Sequence, residues 1–329
     1  MKISVIWAWS WWLALSDILW LNNHNVLVYA RDKEKMSEIN TLHTSIKYLN
    51  WKKISNNIKA TNNLEEVINF SEYLLLAVPS KSITSCLNDI KWFSKHNKEY
   101  FFINAIKWLE SKRTIQQIIK EYFPKNKWVV SLLWPWFAKE VIDRNITCIC
   151  AVSDNKENAW LIQSIFSNSF FRIYIQTDVI WSEIYSSMKN AIAIASWIIT
   201  GLWYWENTKA SLITRWLKEM ALVWKTMWAK DETFFWLTWL WDLILTCSSS
   251  ESRNFQAWYQ IGTDDSSEQF LKNNKTTVEW IATVAAIESI SKEYNLELPI
   301  IHSLYQVLYE NKKPSEMIQN IMLRPLTYE

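Results

Sequence analysis

The segment after the first apolar stretch constrains this chain most, because it places tryptophan where a backbone has least room. Residues 2–6 read as a buried strand and residues 12–22 as a helix. Trp7 and Trp9 lie between these two elements and Trp12 begins the helix, so the three tryptophans are spaced by two and three residues. This is the glycine spacing of G-x-G-x-x-G at a strand–helix junction, where each glycine serves a turn, a close approach or close packing. As tryptophans these residues abolish the motif, and as glycines they complete it.

The composition also indicates that Trp stands in place of Gly. The chain has 2 Gly and 24 Trp among 329 residues, whereas about 23 Gly are expected at a usage of roughly 7%. We therefore hypothesise that most tryptophans are glycines in the working protein. UGA codons, one base from the glycine codon GGA, would be read as Trp by the table used and as Gly by the organism. The alternative is a genuine Trp-rich chain, either an aromatic binding module or a decayed enzyme.

Apolar runs along the first half of the chain alternate with helical patterns. Further buried strands are predicted at residues 25–30, 72–80, 100–106, 128–133, 146–152 and 171–176. Such alternation is typical of a parallel α/β sheet. From Ser182 onward the periodicity is helical. The predicted fold is α/β plus all-α: a Rossmann-type doubly wound domain over residues 1–181, followed by a helical domain over residues 182–329.

Charge, cysteine content and the length of the apolar runs argue against several classes of function. The net charge is +2 without a basic stripe, so no nucleic-acid partner is predicted. The four cysteines form no CxxC pair and no Cys/His metal spacing, so we predict no metal site and free thiols in a reducing cytoplasm. The apolar run 190–205 is too short to span a bilayer, so no membrane association is predicted.

Read with glycine at the junction, the opening "VIWAWSWWLAL" resembles the bacterial-type NAD(P)-dependent glycerol-3-phosphate dehydrogenases. The similarity continues in order along the chain, in "LLLAVPS", "IKWLE", "WPWFAKEV", "MKNAIAIASW", "NTKASLITRWLKEM", "FFWLTWLWDLILTC", "SRN" and "VEW". Each segment alone is weak, but together at this spacing they are specific. Trp11 matches an aromatic position of the family, so it is expected to be a genuine tryptophan. Trp136 departs from the pattern, because relatives have a small residue there.

The resemblance implies hydride transfer between NADP or NAD and C2 of glycerol 3-phosphate or dihydroxyacetone phosphate, feeding phospholipid synthesis. Such a reaction needs a proton donor and acceptor at the substrate oxygen, and a buried lysine can serve as both. The family positions assign this role to Lys189. Lys107 is expected to orient the substrate, with Asp242 and Thr246 as supports.

The resemblance also implies the binding residues. Ser252, Arg253 and Asn254 match the phosphate-binding segment, and Arg suits a phosphate fork. The full set of predicted substrate-binding residues is Lys107, Trp134, Trp136, Lys189, Asp242, Ser252, Arg253 and Asn254. The predicted cofactor-binding residues are Trp7, Trp9, Ser10, Trp11, Trp12, Arg31, Lys107, Ala138, Arg253 and Glu279.

Cofactor choice and partners remain predictions of lower detail. The second strand ends in "LVYARD", so Arg31 could pair with a 2′-phosphate and favour NADPH, although a one-residue shift would bring Asp32 to the ribose instead. The predicted partners are the small-molecule substrate and, as an option left open, a second copy of the chain. Another two-domain dehydrogenase, of the hydroxyacid or 6-phosphogluconate type, is the nearest enzyme alternative.

Overall fold

The chain divides into two compact units, residues 1–183 and 184–329. The computed structural model describes residues 1–7, 10–79, 82–94, 98–106, 113–126, 128–133, 138–226, 243, 247, 255–273 and 278–323. Each unit is considered separately below.

The first unit is built on an eight-stranded sheet. Its strands are β1 (Lys2–Ile6), β2 (Asn25–Tyr29), β3 (Lys59–Thr61), β4 (Tyr73–Leu76), β5 (Phe101–Asn104), β6 (Val129–Leu133), β7 (Thr147–Val152) and β8 (Phe171–Gln176). Their order in the sheet is β3-β2-β1-β4-β5-β6-β7-β8. All neighbours are parallel except β6 and β7, which are antiparallel. The predicted parallel sheet is therefore antiparallel at one pair, and β3 was not among the predicted strands.

Helices connect the strands of this unit. They are α1 (Ser10–Leu21), α2 (Lys33–Leu42), α3 (Ile46–Leu49), α4 (Leu64–Phe70), α5 (Ile83–Phe93), α6 (Ile115–Tyr122), α7 (Ala138–Ile142) and α8 (Lys156–Phe166). Polar caps fix several of their starts. Thr114 and Gln117 form a reciprocal capping box at α6, and the Asn155 side chain accepts two backbone N–H groups at α8.

Alternation along the strands creates two apolar clusters. Val5, Leu75 and Ile103 belong to one cluster, whereas their neighbours Ile6 and Leu76 belong to the other. Successive strand residues point to opposite faces of a sheet, so each cluster packs one face under helices. The sheet is therefore covered on both faces, and this fixes the positions at which β1, β2, β4, β5 and β6 end.

The second unit is helical in every described element. Helix α9 (Val179–Gly201) begins in the first unit and continues into the second, and α10 (Glu206–Thr226) follows it. The remaining described helices are Phe255–Thr263, Glu268–Asn273, Val278–Tyr294, Pro299–Tyr309 and Pro314–Met322. The predicted fold, a Rossmann-type sheet followed by a helical domain, is confirmed.

Two glycines bring helices of the second unit together. A Cβ atom on Gly201, at the end of α9, would lie 2.9 Å from the Cα atom of Gly262 and closer still to the carbonyl oxygen of Tyr259. The backbones of α9 and helix Phe255–Thr263 therefore touch without intervening side chains. Within the described part of the chain, no helix combines the length and the apolar character that crossing a membrane requires.

Candidate active site and nucleotide cleft

A cleft opens where the strand order of the sheet reverses, between β1 and β4. Its volume is about 390 Å³, within the range of small-molecule sites. Ligands of doubly wound sheets bind at such a reversal, beyond the carboxyl ends of the strands. The residues that line the cleft are Ile6, Trp7, Tyr29, Arg31, Leu64, Val78, Ser82, Ser85, Cys86 and Asp89.

Trp7 stands at the mouth of the first strand–helix junction in a backbone conformation that suits glycine. Its φ is 98°, a region that side chains with a Cβ rarely adopt. The indole meets the Tyr29 ring edge-on, with centroids 6.5 Å apart, and lines the cleft. A side chain thus occupies space at the position where the predicted motif needs none.

Arg31 brings a positive charge to the cleft at the end of β2. Its charge lowers the pKa of the Tyr29 phenol, although burial of the phenol dominates and raises that pKa. The next residue, Asp32, is occupied elsewhere, because its carboxylate accepts the backbone N–H of Glu34 at 2.9 Å and caps α2. The cleft therefore presents the arginine of this pair, and Asp32 is not among its lining residues.

Cys86 lies on the α5 wall of the cleft and is buried. Burial raises the pKa of its thiol to about 12. The thiol therefore stays protonated at neutral pH and does not act as a nucleophile there.

A buried polar network joins the last residue of β5, the middle of β6 and the start of α6. The Asn104 side-chain amide donates to Ser131 Oγ at 3.0 Å, and the Gln116 side-chain amide donates to the same oxygen at 3.0 Å. The Ser131 hydroxyl in turn donates to the carboxyl group of Glu183. Burial raises the pKa of Glu183 to about 7, against the lowering effect of these hydrogen bonds. The sequence analysis did not predict this network. Its only sign in the sequence is an acidic residue in the otherwise uncharged start of α9.

In the second unit, Lys189 is buried on α9, with 7% of its surface exposed. Ser196 lies seven residues further along the same helix, so it shares a face with Lys189. Its hydroxyl donates to the carbonyl of Cys247 at 3.4 Å, and Leu243 and Cys247 are both buried. The face of α9 that carries Lys189 therefore contacts Cys247, the residue that follows the predicted support Thr246.

The other predicted residues are described to different extents. Trp11 and Trp12 lie in the first turn of α1 and are buried, with ring centroids 6.4 Å apart, and Ala138 begins α7. The backbones of Ser10 and Glu279 are helical, and their side chains are outside the described residues. Also outside are Trp9, Lys107, Trp134, Trp136, Asp242, Thr246, Ser252, Arg253 and Asn254.

Both halves of the chain match family models. Residues 2–159 match the NAD-dependent glycerol-3-phosphate dehydrogenase N-terminus, and residues 178–319 match the C-terminus of the same family. The chain belongs to the NAD-dependent glycerol-3-phosphate dehydrogenase family. The predictions of an oxidoreductase of this family with an NAD or NADP cofactor are confirmed.

Individual relatives agree with the family assignment. The NAD(P)+ glycerol-3-phosphate dehydrogenase of Staphylococcus aureus is 35% identical over 327 residues, which is 98% of each protein. Solved glycerol-3-phosphate dehydrogenases share the fold. The Coxiella burnetii structure has a TM-score of 0.87 and 23% identity, with coverage of 98% of this chain and 99% of that one. The Plasmodium falciparum structure has a TM-score of 0.87 and 22% identity, with coverage of 100% and 97%.

Proposed function

We propose that this protein interconverts dihydroxyacetone phosphate and sn-glycerol 3-phosphate, and that it supplies glycerol 3-phosphate for phospholipid synthesis. The observation that carries the proposal is the burial of Lys189 in the segment that matches the family's C-terminal model. Lysine side chains are rarely buried in folded proteins. Burial favours the neutral amine, which can take up a proton. When bound, the nicotinamide cofactor supplies or accepts the hydride.

Lys189 is the general acid and base of this proposal. It donates a proton to the oxygen on C2 when the ketone is reduced and takes it back when the alcohol is oxidised. Lys107 orients that oxygen and stabilises its charge. Asp242 and Thr246 support Lys189, in line with the contact between the Ser196 hydroxyl and the neighbouring Cys247 carbonyl.

Ser252, Arg253 and Asn254 hold the substrate phosphate, with the turn at Trp134 and Trp136 offering backbone N–H groups. The segment 252–254 leads directly into helix Phe255–Thr263, which the glycine contact holds against α9. This contact supports the proposal, because it ties the helix after the phosphate segment to the helix that carries Lys189.

The experiment replaces single residues of the enzyme and measures kinetics. Lys189→Ala should lower kcat by about 10² to 10⁴, the usual contribution of a general acid or base, with nucleotide affinity retained. Arg253→Ala should mainly raise KM for dihydroxyacetone phosphate. Lys272→Ala, which removes an exposed lysine on helix Glu268–Asn273, is the matched control. Near-full turnover in Lys189→Ala, or an unchanged KM in Arg253→Ala, would reject the assigned role.

We also propose that residues 1–181 bind the dinucleotide and residues 182–329 carry the catalytic lysine. The cleft beyond β1, β2 and β4 fits the adenosine end of the cofactor, and Arg31 in its wall favours NADPH through the 2′-phosphate. Positions Ser10, Trp11, Ala138 and Glu279 complete the cofactor contacts. Arg31→Ala should selectively lower kcat/KM for NADPH. A wild-type preference above about tenfold for NADH, or an equal loss for both nucleotides, would contradict this specificity.

A further part of the proposal is that most tryptophans are glycines in the protein made by its own organism, through UGA read as glycine. The predicted positions are Trp7, Trp9, Trp12, Trp108, Trp134, Trp181, Trp239 and Trp241. The φ of 98° at Trp7 supports this, as do φ values of 68° at Trp51 and 64° at Trp203, which are 61% and 74% exposed. Mass spectrometry of native peptides decides each position, and tryptophan masses throughout residues 3–20 would end the idea.

The cellular setting belongs to the same proposal. All four cysteines are free, which agrees with a reducing cytoplasm. A homodimer is the assembly to test, and sedimentation of the purified enzyme measures it directly.

A further inference from the structure

Glu183 is a buried acidic side chain to which the proposed mechanism gives no role. It lies near the start of α9, within the first unit, and only 2% of its surface is exposed. Acidic side chains are rarely buried this completely unless their oxygens are hydrogen-bonded.

The carboxyl group of Glu183 receives hydrogen bonds from two separate elements. Its Oε2 accepts the backbone N–H of Ile115, the first residue of α6, at 2.6 Å. Its Oε1 accepts the hydroxyl of Ser131 on β6. Ser131 Oγ is itself the acceptor for the side-chain amides of Asn104 on β5 and of Gln116. One carboxyl group therefore links β5, β6 and α6.

These partners lie in the described residues near two segments, 107–112 and 134–137, that carry residues of the proposed mechanism. Asn104 precedes Lys107 by three residues, and its Oδ1 also accepts the backbone N–H of Ile106 at 2.9 Å. Ile115 and Gln116 follow the segment 107–112 on its other side. Ser131 precedes Trp134 by three residues. The network thus joins described residues on both sides of segment 107–112 and, through Ser131, the strand that leads to residue 134.

We propose that Glu183 is a positioning residue, whose carboxyl group fixes the Lys107 segment and the Trp134 turn for catalysis through Ser131, Asn104 and the start of α6. The inference rests on the proposed role of Lys107. It deepens that proposal by naming what holds the lysine's segment in place.

Replacement by glutamine tests the carboxyl group with little change in volume. Ser131 Oγ already accepts two hydrogen bonds, so its own hydrogen needs an acceptor, and the Ile115 N–H needs another. Two carboxyl oxygens satisfy both donors. Glutamine has one oxygen, so its NH₂ group must face one of these donors and that hydrogen bond is lost.

The matched control is Glu219→Gln in the second unit. Glu219 is buried, and its carboxyl group accepts the backbone N–H groups of Ile300 at 2.7 Å and Ile301 at 3.3 Å, at the start of helix Pro299–Tyr309. It therefore has the same chemistry at a helix start, and neither of these two partners precedes a predicted site segment.

The first readout is backbone hydrogen exchange in the full-length enzyme, which does not depend on activity. Glu183→Gln should speed exchange in peptides covering residues 105–116 by about ten- to hundredfold, the factor expected when one buried donor is left without its acceptor. Glu219→Gln should leave these peptides unchanged. Unchanged exchange there in Glu183→Gln would overturn the proposal. Ser131→Ala breaks the same link and serves as the second variant if Glu183→Gln does not fold.

The second readout is kinetic. Glu183→Gln should lower kcat by a similar factor with the nucleotide Kd unchanged, and it should add little to the loss already caused by Lys107→Ala. An additive loss, or an equal loss of kcat in Glu219→Gln, would show that Glu183 is only structural. Full activity of Lys107→Ala would refute the role of Lys107 itself, and the exchange comparison would still decide whether Glu183 holds the segment.

Discussion

The buried carboxyl of Glu183 predicts a specific dependence of stability on pH. Burial raises its pKa from the ordinary value of 4.5 to about 7, although hydrogen bonds from Ser131 and from the backbone of Ile115 and Gln116 act in the opposite direction. The native state therefore binds this proton more tightly than the unfolded chain does. Glutamine at this position cannot titrate, so Glu183→Gln removes the dependence.

The sign and size follow from the two pKa values. The contribution of Glu183 to the free energy of unfolding is complete below about pH 4.5 and is lost as the pH rises through about 7. At about 1.4 kcal/mol per pH unit, the gap corresponds to about 3 kcal/mol. Wild type should therefore lose about 3 kcal/mol relative to Glu183→Gln between pH 4.5 and pH 8.

Denaturant unfolding of both proteins across this pH range measures the difference directly, and groups that titrate identically in both proteins cancel. Glu219→Gln shows whether any buried carboxyl gives the same curve. A difference between wild type and Glu183→Gln that stays constant, or that grows as the pH rises, would refute the reasoning.

Two further predictions concern glycine. In a recombinant chain with the literal sequence, replacing Trp7, Trp9 and Trp12 by glycine should raise dinucleotide affinity at least about tenfold, because side chains no longer fill the junction. Titration of nucleotide fluorescence measures the affinity. An unchanged affinity would contradict the prediction. Gly201→Ala should destabilise the enzyme by about 1–3 kcal/mol, because the new Cβ atom overlaps Gly262 and the Tyr259 carbonyl. Since alanine is ordinarily the better helix former, a neutral or stabilising result in thermal unfolding would contradict the close contact.

The sheet could be predicted from sequence where strands are buried on both faces. β1, β6 and β8 lie within a residue of their predicted bounds, because continuous apolar runs mark such strands clearly. β3 spans only Lys59–Thr61, too short and polar for this signal. The reversed direction of β7 could not be foreseen either, because an apolar run does not show in which direction its strand crosses the sheet. The short helix α7 returns the chain to the edge of the sheet at which β6 ends, so β7 runs antiparallel to β6.

The sequence singles out a candidate site residue only where the chemistry requires a particular residue type. A lysine directly before the apolar run 190–205 stands out; the structure places Lys189 in the middle of α9, not at the helix start, and buries it. Asn104 and Ser131 do not stand out, because each is an ordinary polar residue inside an apolar strand. Their connection through Glu183 depends on residues separated by 52 or more positions in the chain, which no local pattern reveals.

The two glycines that the sequence retains bear on the tryptophan question. Gly201 and Gly262 face each other where two helices touch, and neither position has room for a Cβ atom. The fold therefore still needs close backbone contact and still meets the need with glycine where the sequence has one. A chain that had lost this need, as a decayed enzyme would, has no reason to keep glycine at a helix crossing. The same requirement exists at Trp7, where φ is 98°, and there the sequence has the largest side chain. A fold that is strict about glycine at one site and indifferent at another is hard to explain by selection. The proposed reading, with two kinds of glycine codon of which only one is translated as Trp by the table used, would account for both sites.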